Sequence, residues 1–370
     1  MTSEKIYLDN IKNYIPKFYQ LQPQLVWHKV PVSRRSSVFV LLFLGNLGEL
    51  RVILTKRSSK LRNFPGHISL PGGKADSSLE TEWQVARREM EEEIGLSSNN
   101  DYLLKNFGFT IDYLNILPSY LSRTFSSVRP CIGFMNFHKN DDNFQNNILS
   151  NLNLSLNPGE SSSIFSCPLK DFLYPISQDF QEALECTYHR VKWGGVPWKL
   201  RSYIFKQNNP YEVAWLKDID DLSSTDYEVD LDDPMEDVFE NEIEESSRHI
   251  EVVDQSNTPA NEKKKNLEEW GRLGSRLDEE TNEKVYDVWG LTANILHDLA
   301  QLTYTNKFNH EMGEEELIYS IWRYGNQMKQ KSRSPEEVKL INSHGLPNEF
   351  GFNDILPRSE FLKLKQIYKL

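Results

Sequence analysis

Residues 72–96 read GGKADSSLETEWQVARREMEEEIGL, a glycine pair followed by a stretch that carries Arg88, Glu89, Glu92 and Glu93. Side chains three and four positions apart share one face of a helix, so the spacing predicts that the carboxylates of Glu89, Glu92 and Glu93 project together. Ser77, with Glu80 three residues later, has the form of a capping box and predicts a helix over about 79–94, ended by Gly95. Gly72 and Gly73 predict a tight turn where backbone can approach a ligand closely. The glutamates fall in the last turns, where the helix dipole disfavours negative charge by about 0.3–1 kcal/mol per residue. A bound cation would offset that cost. Hard oxygen ligands suit Mg²⁺ or Mn²⁺, ions that keep several waters and bridge to phosphate. An acidic helix face can also be merely solvated. The caps, the glycine pair and the position at the helix end favour the metal reading.

The segment resembles the Nudix box: glycine, five residues, glutamate, seven residues, then R-E-U-x-E-E-x-G-U, with U bulky and apolar. Glu80 stands at the first glutamate, and Arg88, Glu89, Met90, Glu92, Glu93, Gly95 and Leu96 fill the second half. The departure is at the front, where Gly73 falls one residue early. Loops tolerate such an insertion at small entropic cost. Immediately upstream, residues 53–73 read ILTKRSSKLRNFPGHISLPGG. This stretch is similar to the extra motif of coenzyme A diphosphatases, LLTxR(S/A), three residues, R, three residues, G, three residues, FPGG. Leu54, Thr55, Arg57, Ser58, Arg62, Gly66, Pro71, Gly72 and Gly73 fit, while Ile53 and Leu70 are apolar replacements. The resemblance implies substrate binding by Thr55, Arg57, Arg62, Gly72 and Gly73. Guanidinium groups at 57 and 62 suit a ligand with several phosphates, because each offers a planar fork of donors. His67 has two readings, a ligand contact or an ordinary loop histidine, and the second is preferred.

At 370 residues the chain accommodates two domains or one domain with an insertion. Hydrophobic content of 38% supports a real core, and no run reaches the roughly 18 apolar residues of a membrane span. No signal-peptide pattern opens the chain. Cys131, Cys167 and Cys186 are too few and scattered for a disulfide framework or a zinc site, which fits a reducing compartment. The net charge of −12 is local. Residues 218–254 hold 16 acidic side chains against the single Arg248, so the rest of the chain carries +3 and suits a polyanionic ligand. That tract, continued to about 283, lacks apolar periodicity and reads as a disordered insert.

Segments 37–44 and 50–56 read as a hairpin about 45–48, and 68–70 as a short strand into the glycines. Further strands are expected at 102–112, 128–136 and 162–167, a hairpin arm at 203–205 after Gly194-Gly195, and a helix over 285–302. Helices are also expected near 314–324 and 335–341. Strands covered by helices on both sides imply an α/β (α+β) sandwich, α/β/α, with a mixed sheet. The organisation expected is an N-terminal extension (1–34), a Nudix domain (35–303) interrupted at about 218–283, and a helical extension (304–370). Trp289-Gly290-Leu291-Thr292 resembles the start of the closing helix in Nudix folds with coenzyme A activity. With residues 120–124, YLSRT, it points to the fungal peroxisomal branch of that subfamily.

The resemblance implies metal-dependent hydrolysis of the diphosphate of coenzyme A or its acyl or oxidised forms, giving 3′,5′-ADP and 4′-phosphopantetheine or its derivative. Glu89, Glu92 and Glu93 would hold Mg²⁺ or Mn²⁺, and Glu93 or Glu160 would take the proton from water. Arg88 would pair with a box glutamate. Glu160, in the turn Asn157-Pro158-Gly159-Glu160, is otherwise a solvent-facing turn residue. The partner is a small molecule, with no nucleic acid and no membrane; a peroxisomal import receptor is implied by family and by Tyr368-Lys369-Leu370, near the S-K-L signal. Residues 17–25 faintly resemble the N-terminal signal. Cytoplasm is the alternative, and oligomeric state is left open. The rivals are a Nudix enzyme for a dinucleoside polyphosphate, NADH or an oxidised nucleoside triphosphate (Tyr113 being the one hint), a non-catalytic Nudix scaffold, and an interaction protein acting through the acidic insert.

Overall fold

The computed structural model describes residues 3–19, 25–61, 64–138, 152, 154–173, 181–217, 219–222, 275–278, 281, 283–305, 311–343 and 349–369. Arg62 and nearly all of the acidic insert lie outside them, as do residues 20–24 and Leu370 of the two localisation motifs.

Helix α1 (Ser3–Lys12) precedes a hairpin of β1 (Arg35–Leu44) and β2 (Leu50–Arg57), paired antiparallel through Leu42 and Val52. Short strands β3 (Ile68–Ser69) and β4 (Gly72–Lys74) lead to α2 (Glu82–Ile94) and α3 (Asn100–Phe107). Then come β5 (Phe109–Ile116), β6 (Tyr120–Leu121), β7 (Ser127–Phe137) and β8 (Ser161–Pro168). The main sheet has eight strands with a path β3-β2-β1-β7-β5; β1 runs parallel to β7 and the other pairings are antiparallel. It is the mixed sheet expected.

Alternation along β1 distributes the core. Phe39, Leu41 and Phe43 pack with Ala86, Met90 and Ile94 of α2 on one face. Val40 and Leu42 pack on the other with Leu296, Leu299 and Leu302 of α4 (Gly290–Thr305). Successive strand side chains point to opposite faces, so one strand serves both helical layers.

Several expectations need correcting, three of them here. Residues 102–107 are helix, not strand: Asn99 caps them by accepting from the Asp101 and Tyr102 N–H groups, and Gly108 ends them at φ +70°. Residues 285–289 belong to strand β12 (Lys284–Trp289), and the helix begins only at Gly290, whose φ of +63° turns the chain. The β-branched and aromatic run Val285, Tyr286, Val288 fits a strand, and helical spacing across the junction was coincidental. Finally, β9 (Ala183–Trp193), β10 (Val196–Lys206), β11 (Ser275–Leu277) and β12 form a second antiparallel sheet, order β11-β12-β10-β9. Ordered strand therefore extends into the stretch read as wholly disordered. Phe165 of β8 stacks on Tyr286 of β12 at 4.1 Å, joining the two sheets.

The expected C-terminal helices are present as α5 (Glu315–Tyr324) and α6 (Pro335–Ile341), followed by α7 (Arg358–Ile367). They pack on the front of the chain rather than standing apart. Glu315 accepts from the N–H groups of Val26 (2.7 Å) and Ser119 (2.8 Å). Buried Arg34 pairs with buried Glu337 at 2.8 Å and also donates to carbonyls of Phe125, Gln330 and Ser332. Among the described residues no helix is long and apolar enough to cross a membrane.

Candidate active site

The glutamate helix starts later than Ser77 and Glu80 imply. Its N-cap is Thr81, whose hydroxyl accepts from the Gln84 N–H (3.3 Å) while Gln84 Oε1 accepts from the Thr81 N–H (2.9 Å). Two S/T-x-x-E/Q patterns follow one another here, Ser77–Glu80 and Thr81–Gln84, and the second is the one that caps. Glu80 instead folds the preceding loop, accepting from the Asp76 (2.7 Å) and Ser77 (3.3 Å) N–H groups. The helix ends at Gly95, φ +73°, whose N–H donates to Glu91 O. The freed carbonyls of Glu93 and Ile94 accept from Asn157 and Ser155, both at 3.1 Å. Those bonds lay the loop carrying Glu160 across the end of the helix.

Gly72 and Gly73 also differ from expectation. They form β4, an extended strand on β1, and not a flexible turn. What they supply is space. A Cβ on Gly72 would meet Ser37 O at 2.4 Å, and one on Gly73 would lie 2.3 Å from Glu89 Cδ. The Glu89 carboxylate thus rests directly on the Gly73 backbone.

Arg88 ties the cluster together. Its Nε donates to Glu80 Oε1, its Nη1 to Glu89 Oε1 and Glu92 Oε2, all at 3.0 Å, and its Nη2 to Lys74 O at 2.9 Å. Burial opposes its charge, but Glu80 and Glu89 override that and hold it protonated beyond the usual range. Glu93 is buried on the opposite side of the cluster. The Gly72 N–H donates to Glu93 Oε1 (3.2 Å), while Ser161 Oγ (3.4 Å) and Thr55 Oγ1 (3.5 Å) approach Oε2. Burial pushes its carboxyl up to about 7; the Gly72 N–H and Arg57 oppose this, and Glu89 and Glu160 reinforce it. Glu89 is likewise raised by burial, against Arg88, with Glu92 and Glu160 adding.

The fold therefore brings Arg57, Arg88, Glu89, Glu92, Glu93, Glu160 and both glycines into one region. Thr55 is fully buried and reaches Glu93, so its place is beneath the carboxylate rather than at a ligand-facing surface. Arg57 lies beside Glu93 and Glu160; burial lowers its pKa and both carboxylates oppose that. Exposed Glu160 accepts from Asn157 Nδ2 at 2.7 Å. Ser161 was missed in the sequence, where only its adjacency to Glu160 could have marked it. Tyr113 packs edge-on against Trp83 in the first turn of α2.

Among the described residues no three acidic, histidine or cysteine side chains form a ready-made ligand set. Arg88 holds Glu89 and Glu92, and Gly72, Thr55 and Ser161 hold Glu93. The donor chemistry nevertheless fits a divalent ion: Glu92 and Glu160 add to the raised proton affinity of Glu89, Glu89 and Glu160 add to that of Glu93, and a glycine leaves the cradle in which Glu89 lies.

A carboxylate-lined helix end, an arginine on the neighbouring strand and an α/β/α sandwich define a hydrolase of phosphoanhydrides that uses divalent metal. The chain belongs to the Nudix family: the NUDIX domain model matches residues 33–180, and the yeast relative below extends the likeness. The peroxisomal coenzyme A diphosphatase 1 of Saccharomyces cerevisiae is 34% identical over 96% of this chain and 94% of its own length. Peroxisomal coenzyme A diphosphatases of Mus musculus and Caenorhabditis elegans are 32% and 30% identical, over 39% and 37% of this chain and half of theirs.

Proposed function

We propose that the protein hydrolyses the diphosphate bond of coenzyme A and its acyl or oxidised derivatives, releasing 3′,5′-ADP and 4′-phosphopantetheine or its derivative. The carrying observation is the likeness to the yeast coenzyme A diphosphatase, which runs through both extensions as well as the Nudix core. The site supports it, because Arg57 adjoins Glu93 and Glu160 where a substrate diphosphate would meet the box.

Glu89, Glu92 and Glu93 would hold Mg²⁺ or Mn²⁺, Glu89 and Glu92 exchanging Arg88 for the ion. Bound there, the ion neutralises phosphate charge and lowers the pKa of water. Arg57, and Arg62 from outside the described residues, would bind diphosphate oxygens by charge-assisted hydrogen bonds. Until the ion binds, Arg88 keeps Glu89 and Glu92 in register. Glu93, buried and held by Gly72, Ser161 and Thr55, is one candidate to accept the proton of attacking water, and exposed Glu160 is the other. Gly72 and Gly73 form the backbone floor under Glu93 and Glu89, where the substrate diphosphate would come close to the chain. Thr55 and Ser161 position Glu93. We place the protein in the peroxisome, as the yeast and mouse relatives' names say of those proteins.

The test is a panel of coenzyme A, acetyl-coenzyme A, oxidised coenzyme A, NADH, a dinucleoside polyphosphate and an oxidised nucleoside triphosphate, with products identified by mass spectrometry. Coenzyme A forms should turn over fastest and give 3′,5′-ADP. Faster cleavage of another substrate overturns the reading, and no metal-dependent cleavage leaves the scaffold alternative.

A further inference from the structure

We propose that the rings of Phe64, His67 and Trp289 seat the purine base of the substrate; this rests on the coenzyme A reading and names the group that its nucleotide half presents. The ring centroids of Phe64 and His67 lie 5.4 Å apart, and those of His67 and Trp289 5.2 Å. The first two come from the loop after β2 and the third from the last residue of β12, so the row of rings spans the junction of the two sheets. Phe64 is 43% exposed and sits at φ +54°. A bulky residue in the left-handed region is strained, and nearly half of this one faces solvent although its ring adjoins His67.

Among the described residues there is space beside the row. A Cβ on Gly66 or on Gly290, the glycines adjoining the row, would meet nothing within 4 Å. The row is also fixed to the phosphate-binding arginine, since the Arg57 N–H donates to His67 O at 2.9 Å. On this proposal a ligand whose anionic centre lies between Arg57 and the box glutamates extends its base toward these rings, past the backbone that joins residues 57 and 67. Of the two halves of coenzyme A only the nucleotide has an aromatic face to stack; the pantetheine arm is a chain of amides and methylenes. Ring stacking favours the base.

Phe64→Ala in the full-length protein is the test, the exposed ring making loss of the fold no concern. The KM for coenzyme A should rise about tenfold with kcat changed less than threefold, and 3′,5′-ADP affinity by calorimetry should fall about tenfold, within the range for one stacked base. Inhibition by 4′-phosphopantetheine should be unchanged. Phe64→Tyr should restore binding, Trp289→Ala should act in the same direction, and Leu47→Ala, in the exposed β1–β2 turn, should match wild type. Wild-type affinity of Phe64→Ala for 3′,5′-ADP would overturn the proposal, as would selective loss of phosphopantetheine inhibition. A wild type that does not cleave coenzyme A, but loses 3′,5′-ADP binding on Phe64→Ala, would overturn the substrate reading and uphold the base seat.

Discussion

Gly73→Ala offers a sharp test of how the site is built. The added Cβ would lie 2.3 Å from Glu89 Cδ and 2.4 Å from each carboxylate oxygen. Comfortable contact between such atoms begins near 3.5 Å, so the carboxyl must retreat by roughly 1 Å. A misplacement of that size in a catalytic constellation costs on the order of 100-fold in rate. Stability should change little. The residue lies in strand β4 without a left-handed φ, and the obstructing group is the free end of a side chain. Alanine even gains roughly 0.4–1 kcal/mol from a stiffer unfolded chain. Gly72→Ala should behave in the opposite way. Its Cβ would meet backbone, Ser37 O at 2.4 Å and Val38 Cα at 2.7 Å, which cannot rotate aside. It should destabilise by about 1–3 kcal/mol, as overpacking does. Thermal unfolding and steady-state release of 3′,5′-ADP on both variants separate the effects. Wild-type turnover by Gly73→Ala, with an intact fold, would refute the claim that Glu89 works from where it lies.

Glu92→Gln and Glu93→Gln should each fold normally, by circular dichroism, yet lose about 100-fold or more in turnover as acid–base or metal function is removed. Glu337→Ala strands the buried Arg34 charge and should cost ~3–5 kcal/mol in denaturant unfolding. Burial raises Glu314 to about 8, against a hydrogen bond from the Leu121 N–H. Its folded pKa thus exceeds an unfolded value of about 4.3, so folded protein binds the extra proton and stability falls as pH rises across that window. Unfolding at several pH values should show Glu314→Gln with a flatter slope; an unchanged slope would remove Glu314 from the account.

The chemistry was legible in the sequence because it is local. The glutamates, Arg88 and the glycine pair are close neighbours along the chain, and helical spacing alone predicts their shared face. The β1–β2 hairpin announced itself by apolar runs about a glycine turn. What was not legible depends on distant partners. Nothing local says that Thr55 lies buried beneath Glu93, that Ser161 joins it, or that Gly73 owes its identity to Glu89. The error over residues 285–289 arose where strand and helix abut with compatible apolar spacing, a boundary only Gly290 marked. The second sheet was missed because β11 lies beyond a long acidic tract, and its pairing with β12 leaves no signature in either segment.

The most direct measurement is a titration of Mn²⁺ followed by electron paramagnetic resonance, on wild type and on Glu92→Gln/Glu93→Gln. Binding to wild type that sharpens with coenzyme A, and is lost in the double variant, is the expected result. Undiminished binding by the double variant, or none by wild type, would contradict the assignment of the metal to this helix end.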